Sequence, residues 1–554
     1  GALDALEWNF MEATLREHGR AAAIAELKRA SAKHRKPFFL WRLHFAYIFA
    51  QRGGFDVVIA NPPYVRQESL KEWKNGLRAQ FPATFSSTSD LYVFFYERAI
   101  QLLRNDGVIS FITSNKWYRA AYGERLRQHI KTNITIAHAI DFGDAPVFNA
   151  VAYPTIVIGS KHIPATAHVL SAMTWNPDLT QDDLARFEQI YNVESKKITQ
   201  SHLTDDGWRF LTGGTHEVLD TIRTTGTRLR DFVGSRVYRG ITTGLNEAFV
   251  IDSTTRTNLI AEDKSSNDFL KPYAGGRDIE RWALKLSDLW VIQIESSANR
   301  KHPWSELDDK KAEKVFSEKY PAIYKHLNKF RDGLERRLDK GAYFWELRAC
   351  VYWGEFQMSK LVSTKVSIRP TFAFDQSGFC LGNTAYFFPV EKSGHFVLAL
   401  LNSNVSAFYS KHIFVEKQNG WYEVQPDGLE NFSIPNAEAG QKAVMERLVE
   451  YLLWLHREVL PQAELARSAG ATLLAGYFEQ WLNALVYELF FPAPLHAAGL
   501  HFFRLAEQAQ LPALAGLAGG ELAALRAKFE ELYAPTHPLR QGLFALDSIE
   551  EIRI

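Results

Sequence analysis

The chain has 554 residues, too many for one hydrophobic core, so three or four domains of ordinary size are expected. Its 46% hydrophobic and 23% charged content is globular and excludes wholesale disorder. A net charge of +1, from 64 Lys+Arg against 63 Asp+Glu, leaves almost no global field, so any nucleic-acid binding requires a local basic face.

No apolar stretch approaches the roughly 20 residues that cross a bilayer, so no membrane partner is expected, and no signal peptide opens the chain. Cys350 and Cys380 are too few for a zinc cluster or a disulfide framework and suit a reducing cytoplasm. Residue 1 is Gly rather than Met, which reads as a fragment.

Residues 1–50 read as helix, with Leu3, Leu6, Phe10, Leu15, Ile24 and Leu27 among charged residues and alanines. After Gly53-Gly54, the run Phe55 to Ala60 has the continuous apolar character of a strand buried in a parallel sheet. An amphipathic stretch over 89–104 predicts a helix capped by Ser89, with Leu91, Phe95, Ala99 and Leu102 on one face. Asn105-Asp106-Gly107 is expected to end it. Val108 to Ile112 predicts a second buried strand, followed by a helix near 122–131. Ile134 to Ile140 and Thr155 to Ile158 predict the closing strands. Alternation of strand and helix over about 110 residues argues for an open, doubly wound α/β sheet.

Residues 166–229 read as a mostly helical connector. Residues 230–435 mix short β-like runs (249–251, 290–292, 385–388) with Gly, Asn and Pro turns, an α+β pattern. The last part, 436–554, is helical. Val444, Leu448, Tyr451, Leu452 and Leu455 form one stripe, Phe478, Leu482, Leu485 and Leu489 another, and both are expected to be helix-packing faces.

Asn61-Pro62-Pro63-Tyr64 directly follows the predicted strand 55–60, at the carboxyl end where α/β sheets place functional groups. Two prolines remove two backbone donors and stiffen the turn. What remains suits a planar ring bearing an exocyclic NH₂: the Asn61 amide oxygen and the Pro62 carbonyl accept one amine hydrogen each, and Tyr64 covers the ring face. Acceptance draws the amine out of conjugation and readies its lone pair for attack on a methyl sulfonium. The same tetrapeptide also fits an ordinary proline turn, and Phe148 fits an ordinary core aromatic.

The run Phe55 to Tyr64 closely resembles the catalytic motif of DNA adenine-specific (N-6) methyltransferases. Similarity continues in order through Ser89-Asp90-Leu91-Tyr92, Gly107 to Ile112, Asp144 to Phe148 and Pro154 to Gly159. By this resemblance Asn61, Pro62 and Tyr64 are catalytic, and Tyr64 and Phe148 hold a flipped adenine between or against their rings. Pro63 lies near the methyl donor, S-adenosylmethionine. Tyr238 to Phe249, Lys271-Pro272-Tyr273, Gly276 to Ile279 and Leu398 to Tyr409 resemble a TaqI-like specificity domain. The layout is similar to the C-terminal part of type IIG restriction–modification enzymes.

The implied fold is a partial Rossmann-like methyltransferase sheet, an α+β target-recognition domain and a helical C-terminal region. Residues 1–50 precede the catalytic strand, 51–165 form the second half of the catalytic domain, and 230–435 read double-stranded DNA. No donor-binding glycine turn or nuclease centre is found, so an upstream segment or a partner chain is expected to supply the donor half. A DNA-recognition module without independent catalysis is the alternative reading, and methylation of a protein or RNA amine is a more distant one.

Residues 319–340 hold seven basic residues with Tyr320, Tyr324 and Phe330 interleaved and Tyr343-Phe344-Trp345 following. Lys325, Lys329 and Arg331 are therefore candidate phosphate contacts, with Arg239 and Arg277 on turns of the same domain. A solvated helix with its basic stems lying over apolar surface accounts for the same pattern.

Overall fold

The apolar run expected to be a buried strand is β1, Phe55–Ala60, in a computed structural model. The residues described are all except 1, 18, 20, 34–35, 37, 144, 146, 149–152, 176–178, 180–181, 206, 211–212, 286–287, 418–419, 469, 518 and 554. The chain divides into two units, Gly1–Thr212 and Gly213–Ile554.

In the first unit, β1 is joined by β2 (Leu103–Ser114), β3 (Thr135–Asp141), β4 (Pro154–Ser160), β5 (Val169–Thr174) and β6 (Lys196–Thr199). Their order is β1-β2-β4-β3-β5-β6. β1 is parallel to β2 and β3 to β5, whereas β4 runs against both β2 and β3. The sheet is therefore mixed rather than uniformly parallel. Residues 169–174 and 196–199, read from sequence as connector, extend it, because β5 takes the free edge of β3 and β6 pairs with β5. Four residues of β6, with only Ile198 buried, give too short an alternation to be read as a strand.

The helix expected over 89–104 runs Tyr92–Leu102 and has no side-chain cap. Ser89 does not cap it: its hydroxyl is buried and unpartnered, and the turn opens instead with the Val93 N–H donating to the Asp90 carbonyl at 3.2 Å. Phe95 faces solvent, while Tyr92, Val93, Tyr96, Ala99 and Ile100 bury against the sheet. Asn105–Gly107 lies within β2 rather than at a helix end. The register jumps there from Phe55 opposite Leu103 to Val57 opposite Val108, and Asp106 takes a positive φ of 61°. The expected helix near 122–131 is found at Glu124–Asn133.

Helices Ala2–Glu17, Ala21–Ala32, Trp41–His44 and Ala46–Arg52 precede β1, as the amphipathic pattern of 1–50 implies. Phe45 and Phe49 pack edge-on against Phe55, with centroids 5.0 and 5.6 Å away. β1 is the outermost strand, and on its open face Val57 is 57% and Ile59 77% exposed.

The second unit has an α+β body and a helical end. One sheet orders Phe372–Asp375, Lys360–Thr364, Ala385–Pro389 and Tyr238–Arg239. Another orders Cys380–Leu381, Leu270–Ala274, Leu289–Ile292 and Val250–Asp252. Helices from Ala439 onward follow, with Leu448, Tyr451 and Leu452 buried alongside Phe478, Leu482 and Leu485, the packing role expected of both stripes. Among the described residues no helix is long and apolar enough to cross a membrane.

Candidate active site and DNA-reading face

Asn61 to Tyr64 leave the carboxyl end of β1 as irregular backbone, with Pro62 buried and Asn61, Pro63 and Tyr64 exposed. Two backbone contacts fix the turn. The Val65 N–H donates to the Pro63 carbonyl at 3.0 Å, and the Leu91 N–H donates to the Val65 carbonyl at 3.0 Å. The Gln67 N–H also donates to Asp90 Oδ1 at 3.1 Å. The Ser89-Asp90-Leu91-Tyr92 segment therefore clamps the chain just past the tetrapeptide. Partial burial raises the Asp90 carboxyl above its ordinary value, opposed by the bond from Gln67.

Tyr64 stands between two aromatic rings. Its centroid lies 6.3 Å from Tyr92 at 82° and 6.4 Å from Phe148 at 73°, both edge-to-face. Tyr92 is buried and its hydroxyl lies 2.7 Å from that of Tyr122, giving Tyr64 a rigid neighbour. The sequence motif thus brings Tyr64 and Phe148 together across 84 positions. Of the motif around Phe148, Asp144 and Pro146 lie outside the described residues.

Sequence reasoning missed the pair that supports this loop. Asn115, after the end of β2, donates its side-chain amide to Asp141 Oδ1 at 2.7 Å, and the Gly143 N–H donates to the same oxygen at 3.0 Å. Asp141 is 5% exposed, so these bonds satisfy a buried acceptor where β3 passes into the loop that carries Phe148. Asn at the end of one strand and Asp at the end of the next were the available signal. At the other end of β1, Asp56 is paired with Arg104 and Arg52, each at 2.7 Å, and these bonds lower its carboxyl pKa.

In the second unit the five proposed DNA contacts differ in availability. Lys325 is paired with Glu262 at 2.8 Å. Arg331 is held by both oxygens of Glu313 and by Glu335 at 2.7 Å. Arg239 donates to the Asn383 carbonyl at 3.2 Å, while Lys329 and Arg277 are exposed. The aromatics interleaved with and following the basic run belong to the core: Tyr343, Phe344 and Trp345 are buried, and Tyr320, Tyr324 and Phe330 pack against the same cluster. Arg337, counted in the basic run, turns inward to the carbonyls of Thr243, Phe344 and Glu346, and burial lowers its pKa to about 10.

The turn Gly240–Leu245 is shaped by close approach. A Cβ on Gly240 would stand 2.0 Å from the Gly382 carbonyl oxygen. Gly244 adopts φ +71°, and a Cβ there would meet the Asp339 carbonyl at 3.0 Å. These glycines pack Arg239 and its neighbours against two other loops of the domain.

The first unit thus presents a mixed sheet with an Asn-Pro-Pro-Tyr turn at a strand end, and the second an α+β body in which closely packed glycines hold the turn after Arg239. Residues 7–148 match the Eco57I restriction-modification methylase family, and residues 271–434 match the TaqI-like C-terminal specificity domain. The chain therefore carries an Eco57I-type methylase domain and a TaqI-like specificity domain. It is 24% identical over 443 residues to the type II methyltransferase M.BanIII of Aneurinibacillus aneurinilyticus, covering 72% of each chain. It is 29% identical over 175 residues to M.XhoI of Xanthomonas vasicola, covering 30% of this chain and 32% of that one. Against the restriction enzyme and methyltransferase RM.Eco57I of Escherichia coli, identity is 25% over 201 residues, covering 35% of this chain and 19% of that one. The chain thus spans less than half the length of these last two relatives. A solved structure of the Type IIL restriction-modification enzyme MmeI in complex with DNA shares the fold, at a TM-score of 0.50 and 14% identity over 82% of this chain and 57% of that one.

Proposed function

We propose that the chain is the acceptor-binding and DNA-reading part of an adenine-specific DNA methyltransferase of a restriction–modification system. The observation that carries this reading is the constellation at the carboxyl ends of β1, β2 and β3: Asn61, Pro62, Tyr64 and Phe148, with Asn115 bound to Asp141 beside them. In this reading Asn61 Oδ1 and the Pro62 carbonyl accept the two hydrogens of adenine N6. Tyr64 stacks on the base once it is rotated out of the duplex, and the Phe148 edge borders it. S-adenosylmethionine supplies an electrophilic methyl group when bound. The chain's own residues orient the amine and shield the base. After transfer, the alkylated nitrogen is acidic enough to lose its proton to water without a dedicated base.

The residues present fit the acceptor side and, through Pro63, one wall of a donor site. Among the described residues no strand precedes β1, so no strand-to-turn segment stands where the donor's polar end needs backbone donors and a carboxylate. We assign that part to an upstream segment or a partner chain docking on the open side of β1. Covering Val57 and Ile59 would contribute roughly 3 kcal/mol or more. Division into a catalytic part at 51–165, whose sheet β5 and β6 carry on to residue 199, a recognition domain at 230–435 and a helical end at 436–554 belongs to the same proposal, as does a reducing cytoplasm, which suits the free thiols of Cys350 and Cys380.

The open edge of β1 also favours a second reading, a DNA-recognition module without catalysis of its own. Nucleoside analysis of duplex DNA treated with the chain, alone and with the upstream coding segment restored, separates the two. N6-methyldeoxyadenosine in the second sample supports the first reading, and its absence there supports the module.

A further inference from the structure

The loop after helix Arg331–Arg336 holds an apolar side chain in open solvent. Leu338 is 98% exposed, more than any other large hydrophobic side chain among the described residues. Singly exposed apolar residues are ordinary on protein surfaces, so exposure alone assigns nothing. What distinguishes Leu338 is its frame. Arg337, immediately before it, is buried and bound to three carbonyls. Asp339, immediately after it, accepts from Arg348 at 3.1 Å, and Lys340 donates to the Glu335 carbonyl at 2.6 Å. Residues on both sides are tied down, so this is a stiff display rather than a fraying tip.

The frame also places Leu338 on the face that carries the specificity-domain turn. The loop packs on Gly244, where a Cβ would lie 3.0 Å from the Asp339 carbonyl oxygen and 3.1 Å from the Arg337 side chain. From Arg348 the chain runs on to Tyr352, whose hydroxyl donates to the Arg239 carbonyl at 3.0 Å. Arg336, adjacent and exposed, supplies a cation for the same surface.

A stiffly held apolar group near an exposed guanidinium suits duplex DNA, with a cation for a phosphate and a wedge for a base step. We propose that Leu338 inserts between stacked base pairs of the bound duplex from the minor groove, with Arg336 against a flanking phosphate. The residue then reads sequence indirectly, through the ease with which that step opens. This assignment rests on the DNA-reading role proposed for the domain.

The test uses the full chain and a 30-base-pair duplex that it selects from a random-sequence pool, probed with permanganate for unstacked thymines other than the one opposite the target adenine. The parent is expected to create a reactive step. Leu338→Ala should abolish that reactivity and weaken binding about tenfold, whereas Leu338→Met should keep both. Leu338 is almost wholly exposed, so neither substitution disturbs packing. An alanine variant that binds within twofold of the parent and leaves permanganate reactivity unchanged overturns the insertion. Weaker binding with unchanged reactivity also overturns it, in favour of a surface contact such as a thymine methyl. A parent that selects no duplex contradicts the DNA-reading role itself, and the wedge with it.

Discussion

The rings of Tyr64 and Phe148 meet edge-to-face, with centroids 6.4 Å apart at 73°. Nearly perpendicular planes leave no parallel slot between them, so on the proposed function a flipped base would stack on one ring and meet the edge of the other. Tyr64 is the ring with a rigid backing in Tyr92, and it should carry most of the stacking. In the chain with its donor half restored, Tyr64→Ala should lose roughly 1–3 kcal/mol of base binding, and Tyr64→Phe or Trp should keep much of the activity. Phe148→Ala should cost less. Titration of a duplex carrying 2-aminopurine at the target position measures both, and a larger loss at Phe148 would reverse the assignment.

The bond from Asn115 to Asp141 gives a prediction that requires no activity. Asn115→Ala removes a donor from a carboxylate that is 5% exposed. The cost should be about 1–3 kcal/mol in the stability of the first unit. Urea unfolding followed through the tryptophans of that unit, including Trp117 and Trp208, reads it. A midpoint equal to the parent's would mean that water replaces the amide without loss.

Sequence choice should reside in the 230–435 domain. Exchanging it with that of a related enzyme should transfer the methylated site, and an active chimera that keeps its original site would refute the assignment. Free cations should dominate the salt dependence. Charge reversal of Arg277 and Lys329 should flatten the slope of log affinity against log salt by about one contact each. Lys325 and Arg331, already paired with Glu262 and Glu313, should change it less. Equal effects from both pairs of variants would show that the intramolecular ion pairs open on binding.

The isolated chain should bind S-adenosylmethionine weakly or not at all, because in the proposed reading Pro63 and Tyr64 would reach only one side of the ligand and leave its charged groups unpaired. Calorimetry with the chain alone, then with the upstream segment restored, checks this. Micromolar binding by the chain alone would reveal a donor site elsewhere in it.

The turn at the end of β1 was legible in the sequence because its signal is local: four consecutive residues follow a continuous apolar strand. The pairing of Tyr64 with Phe148 came from the order of motifs, and the structure supplies the angle between the rings. Positions of β5 and β6 were not legible, since short edge strands owe their state to the neighbour they pair with rather than to their own periodicity. The partners of the basic run at 319–340 were not legible for a related reason. Charge and aromatic content do not reveal which Glu lies across the fold, and Glu262 and Glu313 neutralise the cations that looked free. Arg337 gave no sign in the sequence that it turns inward.

The central claim is that Asn61 activates the exocyclic amine of adenine. Its most direct test is mass spectrometry of nucleosides from duplex DNA methylated by the enzyme with its donor half restored, comparing the parent with Asn61→Ala. The account predicts N6-methyldeoxyadenosine from the parent and a loss of at least a hundredfold in its rate of formation for the variant, with duplex affinity largely kept. Methylated cytosine as the product, or a variant within about tenfold of the parent rate, would contradict it.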